Sequence, residues 1–470
     1  MMLDLLVIGG GINGTAIARD AAGRGRSVLL VEADDLASHT SSASTKLIHG
    51  GLRYLETFDL RLVREALVER DVMLRAAPHL IYPLRFVLPQ APGTRPGWMI
   101  RAGLLLYDTL AWGTALPRAA RVDLGPPLKS GLTRGHAYSD AWVDDARLVI
   151  LYALDAAQHK AEIRTRSRLA SAVREGDAWT ATLANGEQVR ARALVNAAGP
   201  WVEDVLRARL RRNAGSHVRL VRGSHIVVPR LPGQTDAYLL QQPDGRIVFA
   251  IPYERDLTLI GTTDTPVDDP ADATASDAEV AYLLAAANRW LARPLSHADV
   301  RHRFAGIRAL HDDGRSTAQT VTRDYRLELD DEGAPLLSVF GGKITTARAL
   351  AEAAVDRLGW GKGWTRSAIL PGGDLGMPFD AFLQQVRTRW PALGEARSLR
   401  MARAYGSRLA AVIGRGLGEE LGGGLTAGEV RYLRDHEWAR TPDDVLWRRT
   451  KIGLHTGADT AARVAAVLEG

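Results

Sequence analysis

Apolar and polar positions follow two rhythms along this chain, and the switches between them mark out its elements. From Leu3 to Ile8 the residues are apolar but for Asp4, GGGING follows, then TAIARDAAGRG and a second apolar run, SVLLVE, that ends at Glu32. That order predicts strand, glycine turn, helix, strand. Residues 60–77 place Leu62, Val63, Ala66, Leu67, Val72 and Leu74 among charges at helical spacing. WVDDARL, from Trp142, opens another helix with two aspartates near its start, where the helix dipole favours anions, and RALVNAAGPW reads as a strand that breaks at glycine.

Between Val218 and Thr263 the period becomes that of strands. RLVRGSHIVV, RIVFAIPY and LTLIGTT alternate, and the last two flank Glu254, Arg255 and Asp256, which predicts an antiparallel hairpin. A helix from about Asp277 to Ala292 and the run RHRFAGIRAL lead to LLSVFGGKITTARALAEAAVDRL, which reads as strand, glycine pair, helix. Past Leu370–Asp374 the pattern is helical to the end; TAGE at Thr426 matches a capping box, and TPDD at Thr441 an N-cap with proline at the first helical position. The expected organisation is α/β: a discontinuous Rossmann-like domain (1–80, 143–217, 325–369), an antiparallel-sheet domain (81–142, 218–324) and a helical C-terminal domain (375–470).

Composition narrows the chemistry. A length of 470 residues suits two or three domains, and the charge of +6 comes without a run of five like charges, which argues against a nucleic-acid tail. Only six of the 60 basic residues are lysines, so a lysine is the more informative cation here. The absence of cysteine removes disulfides, thiolate metal ligands, a cysteine nucleophile and a cysteinyl cofactor bond. The segment from Trp98 to Gly113 is the longest apolar stretch, but Arg101 and Asp108 interrupt it, and no transmembrane helix is expected.

Gly9, Gly11 and Gly14 have GxGxxG spacing, follow a strand, open a helix and are answered by Glu32 at the end of the next strand. Such glycines admit backbone N–H groups to a diphosphate, and Glu32 can accept from ribose hydroxyls. The fingerprint alone does not separate nicotinamide from flavin. TSSASTKLIHGGLRYL helps: Ser41, Ser42, Ser44 and Thr45 could bond diphosphate and ribityl oxygens, Gly50 and Gly51 would let backbone lie near a flat ring, and His49 belongs to the same loop. Gly199 closes a further strand as a second nucleotide-side contact. Gly341, Gly342 and Lys343 would turn backbone amides toward the pyrimidine edge of a flavin, whose negative charge grows on reduction.

Several long segments, VIGGGINGTAIARDAAGRG, TSSASTKLIHGGLRYLE, YSDAWVDDARLV, NAAGPWV, GSHIVVP, GTTD, TRDY, LLSVFGGKITT and DHEW, resemble in content and order the FAD-dependent, membrane-associated glycerol-3-phosphate dehydrogenase family, over residues 5 to about 450. The resemblance implies a glycine-oxidase-like FAD flavoprotein with a helical C-terminal cap, oxidising sn-glycerol 3-phosphate to dihydroxyacetone phosphate and passing electrons to a membrane quinone. It also implies Arg53, Tyr54, Arg308, Arg323 and Lys343 on the substrate side, with Arg308 and Lys343 taking part in catalysis. The chemistry asks for the same parts: a hydride acceptor, a base for the hydroxyl proton and cations for a phosphate dianion. His225 in GSHIVVP is the favoured base. GIRAL at Arg308 departs from the family, which commonly has proline after that arginine.

A quinone acceptor requires contact with lipid, so the protein is expected on the inner, cytoplasmic face of the membrane as a peripheral protein, with no nucleic-acid partner and a homodimer left open. Two lipid-facing candidates are the Trp98–Trp112 stretch and the basic segment at Trp447, Arg448, Arg449 and Lys451. The rivals are an oxidase on the same scaffold that uses oxygen, acting on glycerol phosphate or an amino acid, and a tRNA-modifying flavoprotein.

Overall fold

The computed structural model describes residues 2–55, 59–312, 325–414 and 416–470, with the backbone alone for residues 53 and 54. In chain order β1 (Met2–Ile8), α1 (Ile12–Gly23), β2 (Val28–Val31) and β3 (Leu47–Ile48) lead into α2 (Leu60–Ala76), β4 (Ile81–Pro89) and α3 (Gly97–Leu110). Then come β5 (Ala120–Asp123), β6 (Arg134–Val143), α4 (Asp145–Gln158), β7 (Glu162–Arg164), β8 (Leu169–Glu175), β9 (Ala178–Leu183) and β10 (Gln188–Asn196). A short helix α5 (Val202–Asp204) precedes β11 (Val218–Pro229), β12 (Ala237–Gln241), β13 (Ile247–Tyr253), β14 (Leu257–Gly261), β15 (Thr265–Pro266), α6 (Asp277–Asn288) and β16 (His302–His311). After β17 (Arg326–Asp330), β18 (Leu336–Phe340) and α7 (Ala347–Arg357) the chain is mainly helical.

Strand order in the first sheet is β17-β18-β10-β1-β2-β7, with β18, β10, β1, β2 and β7 parallel and β9 and β8 folded antiparallel onto the start of β10. Leu5, Leu6 and Val7 of β1 and all of β2 are buried on both faces, which is why these strands read as unbroken apolar runs. The carboxyl ends of β1, β2, β10 and β18 open together onto Gly9, Glu32, Ala197 and Gly341, the crevice in which parallel α/β sheets bind ligands.

The second sheet has the order β15-β11-β14-β13-β12-β4-β6-β3, with β16 beside β11 and β5 beside β6. The expected hairpin is present: β13 and β14 pair antiparallel around Glu254. The long β11–β16 ladder sets His225 opposite Phe304 and Val221 opposite Arg308.

Helix α2 buries Leu62, Val63, Ala66, Leu67, Val72 and Met73, close to the stripe expected, with Leu74 half-buried. Asp144 caps α4 by accepting from Arg147 N at 3.1 Å. The capping box expected at Thr426 is only half made. Thr426 Oγ1 accepts from Glu429 N at 3.3 Å, but the Glu429 carboxylate is taken by Arg400, at 2.7 Å to each oxygen, and by the Tyr405 hydroxyl at 2.6 Å.

The two lipid-facing candidates separate clearly. The segment at Trp447–Lys451 is interior: Arg449 is fully buried and donates to Asp35 at 2.8 Å, Arg448 donates to Asp35 at 2.7 Å, Lys451 donates to the Trp447 carbonyl at 2.8 Å, and the Trp447 ring stacks on His302. The two arginines are paired with an aspartate some 400 positions away and Lys451 lies 3.5 Å from Asp144, so the basic run is an internal clamp and the expectation of a lipid face there is corrected. Helix α3, in contrast, buries Ile100, Leu104 and Tyr107 but leaves Trp98 72% and Leu105 69% exposed, with Trp112 just beyond it 80% exposed. Among the described residues no helix is long and apolar enough to cross a membrane.

Candidate active site

A cavity of about 520 Å³ runs from the strand ends of the first sheet to β11 and β16 of the second. Its wall includes Gly9, Gly11, Glu32, Ser41, Ser44, Thr45, His49, Gly199, Gly341, Gly342 and Lys343, together with His225 and Arg308. Four expected cofactor contacts are not on it. Gly14 packs helix against strand: a Cβ there would stand 1.9 Å from the Gly9 carbonyl oxygen. Ser42 turns its hydroxyl to the His39 carbonyl at 3.1 Å, and Gly50 and Gly51 lie behind the wall, where the Gly50 N–H donates to the Tyr107 hydroxyl at 2.9 Å. The Arg53 and Tyr54 side chains and Arg323 lie outside what the structure describes.

The serine-rich loop is shaped mostly by the protein itself. Asp145, the first residue of α4, accepts from Ser44 N at 3.0 Å, Ser44 Oγ at 2.8 Å and Lys46 Nζ at 2.7 Å, while Lys46 also donates to the Ser42 carbonyl at 2.9 Å. Ser41 Oγ accepts from Ile12 N at 3.0 Å, and Thr40 Oγ1 donates to the Ile307 carbonyl at 2.6 Å, which ties the loop to α1 and to β16. Burial by itself would raise the Asp145 pKa, but Lys46, with Lys451 behind it, holds it below the usual carboxylate range.

His225 stands in β11 with only 1% of its surface exposed. Its neighbour across the ladder, Gly261, makes room for the ring: a Cβ there would lie 2.0 Å from His225 Cδ2. Nε2 is 3.0 Å from Thr45 Oγ1, and the imidazole stacks on Phe304 at 4.9 Å, a ring whose centroid is 5.4 Å from Lys46 Nζ. Burial first, then the charges of Arg308 and Lys46, push its pKa down to about 3, so the ring is neutral at physiological pH. Arg308 is fixed by a short ion pair to Asp264 and by donation to Thr262 Oγ1 at 2.8 Å.

The donor set fits a flavin dinucleotide. Helix α1 has a glycine, Gly11, at its N-cap and no acidic residue in its first turn, so the amides beyond Ile12, which donates to Ser41, can take a diphosphate. Glu32 accepts from Asp34 N at 2.8 Å and from Gly10 N, and a carboxylate so used still has lone pairs for ribose hydroxyls. Burial pushes its pKa up. The buried Asn13 Oδ1 and Ser38 Oγ have no hydrogen-bond partner among the described residues and belong to residues lining the same cavity. Past β18, the turn at Gly341–Thr346 also enters α7 without an acidic first turn, as the electron-rich edge of an isoalloxazine requires.

Lys46, Asp145, Asp264 and Thr262 escaped sequence reasoning. A signal existed for two of them, since Lys46 is one of six lysines and Asp145 is in the aspartate pair at a helix start, but nothing local says that they meet.

Comparison with known proteins agrees with this geometry. The sequence profile of the FAD dependent oxidoreductases matches residues 4–354, and that of the C-terminal domain of alpha-glycerophosphate oxidase matches residues 364–470. A glycerol-3-phosphate dehydrogenase of Pseudomonas aeruginosa is 50% identical, with 99% of this chain and 95% of that protein covered. A D-erythritol 1-phosphate dehydrogenase of Brucella abortus is 48% identical, with 98% and 97% covered. The crystal structure of a glycerol-3-phosphate dehydrogenase from Bacillus halodurans complexed with FAD superposes with a TM-score of 0.76 at 30% identity, covering 100% of this chain and 94% of that one. The chain is therefore a member of the FAD-dependent glycerol-3-phosphate dehydrogenase family.

Proposed function

We propose that the protein oxidises sn-glycerol 3-phosphate to dihydroxyacetone phosphate and delivers the electrons to a membrane quinone. The observation that carries this reading is that a neutral imidazole, His225, and two cations, Arg308 and Lys343, line the same cavity as the dinucleotide turn. FAD, when bound, supplies the hydride acceptor. Arg308 and Lys343 hold the phosphate, each charge-assisted bond contributing about 1.5–3 kcal/mol, and His225 Nε2 takes the proton of the C2 hydroxyl. The incoming dianion also offsets the Arg308 charge that depresses the imidazole pKa, so the base gains strength when substrate arrives.

The test is anaerobic. Glycerol 3-phosphate is expected to bleach the visible flavin band of the FAD-loaded protein, and glycerol or glycine to leave it unchanged; no bleaching by the phosphate ester would sink the reading. The near-equal similarity to a D-erythritol 1-phosphate dehydrogenase supports a second reading, a longer polyol phosphate as substrate. Faster bleaching by erythritol phosphate than by glycerol phosphate would establish it. The C-terminal match to an oxidase domain makes oxygen the rival acceptor, and stoichiometric peroxide would identify it.

Delivery to a quinone places the protein on the inner face of the membrane, and helix α3 is its lipid contact. Between positions 95 and 134 stand six basic residues (Arg95, Arg101, Arg118, Arg121, Lys129, Arg134) and two acidic ones (Asp108, Asp123), a net +4 out of the chain's +6. His136 beside them is held below its usual pKa by burial and then by the charges of Arg121 and Arg101. Partial insertion of each exposed indole contributes about 1.5 kcal/mol, so Trp98→Ser with Trp112→Ser is expected to weaken cosedimentation with anionic vesicles by about tenfold for each tryptophan. Unchanged binding at low salt would remove α3 from this role.

A further inference from the structure

We infer that Tyr107 is a positioning residue for the oxidation: from the inner face of α3 it fixes the Gly50 peptide, and through it the neighbouring His49 on the cavity wall. The inference rests on the proposed activity and concerns residues that do not touch the substrate themselves.

Tyr107 is buried and its hydroxyl works in two directions. It accepts from Gly50 N at 2.9 Å and donates to the Asp140 carboxylate at 2.8 Å, and Asp140 receives Arg70 at 2.9 Å. Arg70 is itself tied to the Ser139 carbonyl at 3.1 Å and to Thr114 Oγ1 at 3.2 Å. A phenol that needed only a partner for its proton would be satisfied by Asp140; the second bond goes to the loop.

Gly50 is shaped for that bond. A Cβ at this position would be 2.8 Å from both the Tyr107 hydroxyl oxygen and Leu67 Cγ, so only glycine brings the backbone this close. The residue before it, His49, is on the cavity wall, and its N–H donates to Thr345 Oγ1 at 3.3 Å, two positions beyond Lys343. His49 is thus held between two fixed points, the Lys343–Thr345 turn on one side and Tyr107 on the other. The single 3-10 turn Leu52–Leu55 continues directly from this segment and carries residues 53 and 54. Asp140 also faces the Gly50 amide, so loss of the phenol oxygen lets the peptide slide toward the carboxylate instead of leaving it unbonded.

Displacements of this kind are costly in rate because a shift of about 1 Å in a reacting group can cost on the order of 10²-fold. The experiment compares Tyr107→Phe with Ile100→Val, which trims the same face of α3 without touching the loop. Tyr107→Phe is expected to keep FAD, to melt near the wild-type temperature and to be reduced by dithionite like the wild type. Its saturating rate of flavin reduction by glycerol 3-phosphate is expected to fall by on the order of 10²-fold while Ile100→Val stays close to wild type. Should Tyr107→Phe not fold, Gly50→Ala, which keeps the phenol and forces the peptide away from it and from Leu67, must show the same loss. A wild-type rate in the variant that folds, or an equal loss in Ile100→Val, would overturn the inference. Wild-type protein that no polyol phosphate bleaches would overturn the functional reading and this inference with it.

Discussion

Asp145→Ala is expected to produce a protein that is markedly less stable and is isolated largely without FAD. Asp145 is buried, and it is the acceptor for Ser44 N, Ser44 Oγ and the buried ammonium of Lys46. Removing it leaves Lys46 as an uncompensated charge inside the protein and frees the loop that forms one wall of the cavity. Loss of one partner of a buried pair costs about 3–5 kcal/mol, a large fraction of the roughly 5–15 kcal/mol that holds an ordinary domain together. A urea titration of the holoprotein measures the first effect, and the ratio of flavin to protein absorbance after purification measures the second. Lys46→Met in the Asp145→Ala background should recover part of the stability, since no lone charge then remains, but not the FAD content, since the Ser44 contacts stay lost. A single variant with the wild-type midpoint and full flavin would refute this account of the loop.

What could be read in advance is what short stretches dictate. The strand, turn and helix around Gly9–Gly14, the end of β2 just before Glu32 and the β13–β14 hairpin follow from apolar period and turn chemistry within a few residues. The sharing of one cavity by Gly9, Thr45, His225, Arg308 and Lys343 is different in kind, because it depends on the register of two separate sheets. Motif resemblance suggested that grouping; no single window contains it. Sequence reading went astray where a long-range partner changes the meaning of a residue. Arg448 and Arg449 look like a solvated basic face until Asp35 is seen to pair with both. Ser42 and Ser44 look available to a ligand until His39 and Asp145 engage them, and Gly50 looks like a ring contact until Tyr107 stands against it. Composition cannot supply those partners, which lie from three to more than 400 positions away.

His225→Gln is expected to slow flavin reduction by 10²- to 10⁴-fold, the range a positioned base contributes, with FAD retained because the glutamine can still reach Thr45. The same variant carries a pH signature. In the folded protein the His225 pKa is pushed down to about 3, whereas the unfolded chain binds its proton near the ordinary imidazole value of 6.5. Between those two values the unfolded state holds more protons, so this group's contribution to stability is intact above about pH 6.5 and is lost as the pH falls toward 3. Over the part of that window above pH 5 the loss is about 2 kcal/mol. His79, buried and likewise pushed down to about 3 by burial and then by Arg147 and Arg403, acts with the same sign and remains in the variant. Asp20 and Asp140, raised to about 6 by burial, act with the opposite sign and also remain. The difference between wild type and variant therefore isolates His225: unfolding midpoints measured from pH 7 to pH 5 should converge, the wild type losing more of its stability than His225→Gln. Parallel curves would mean that the imidazole is not kept neutral by its surroundings, and a reduction rate lowered by less than about 10²-fold would assign the proton transfer to another group.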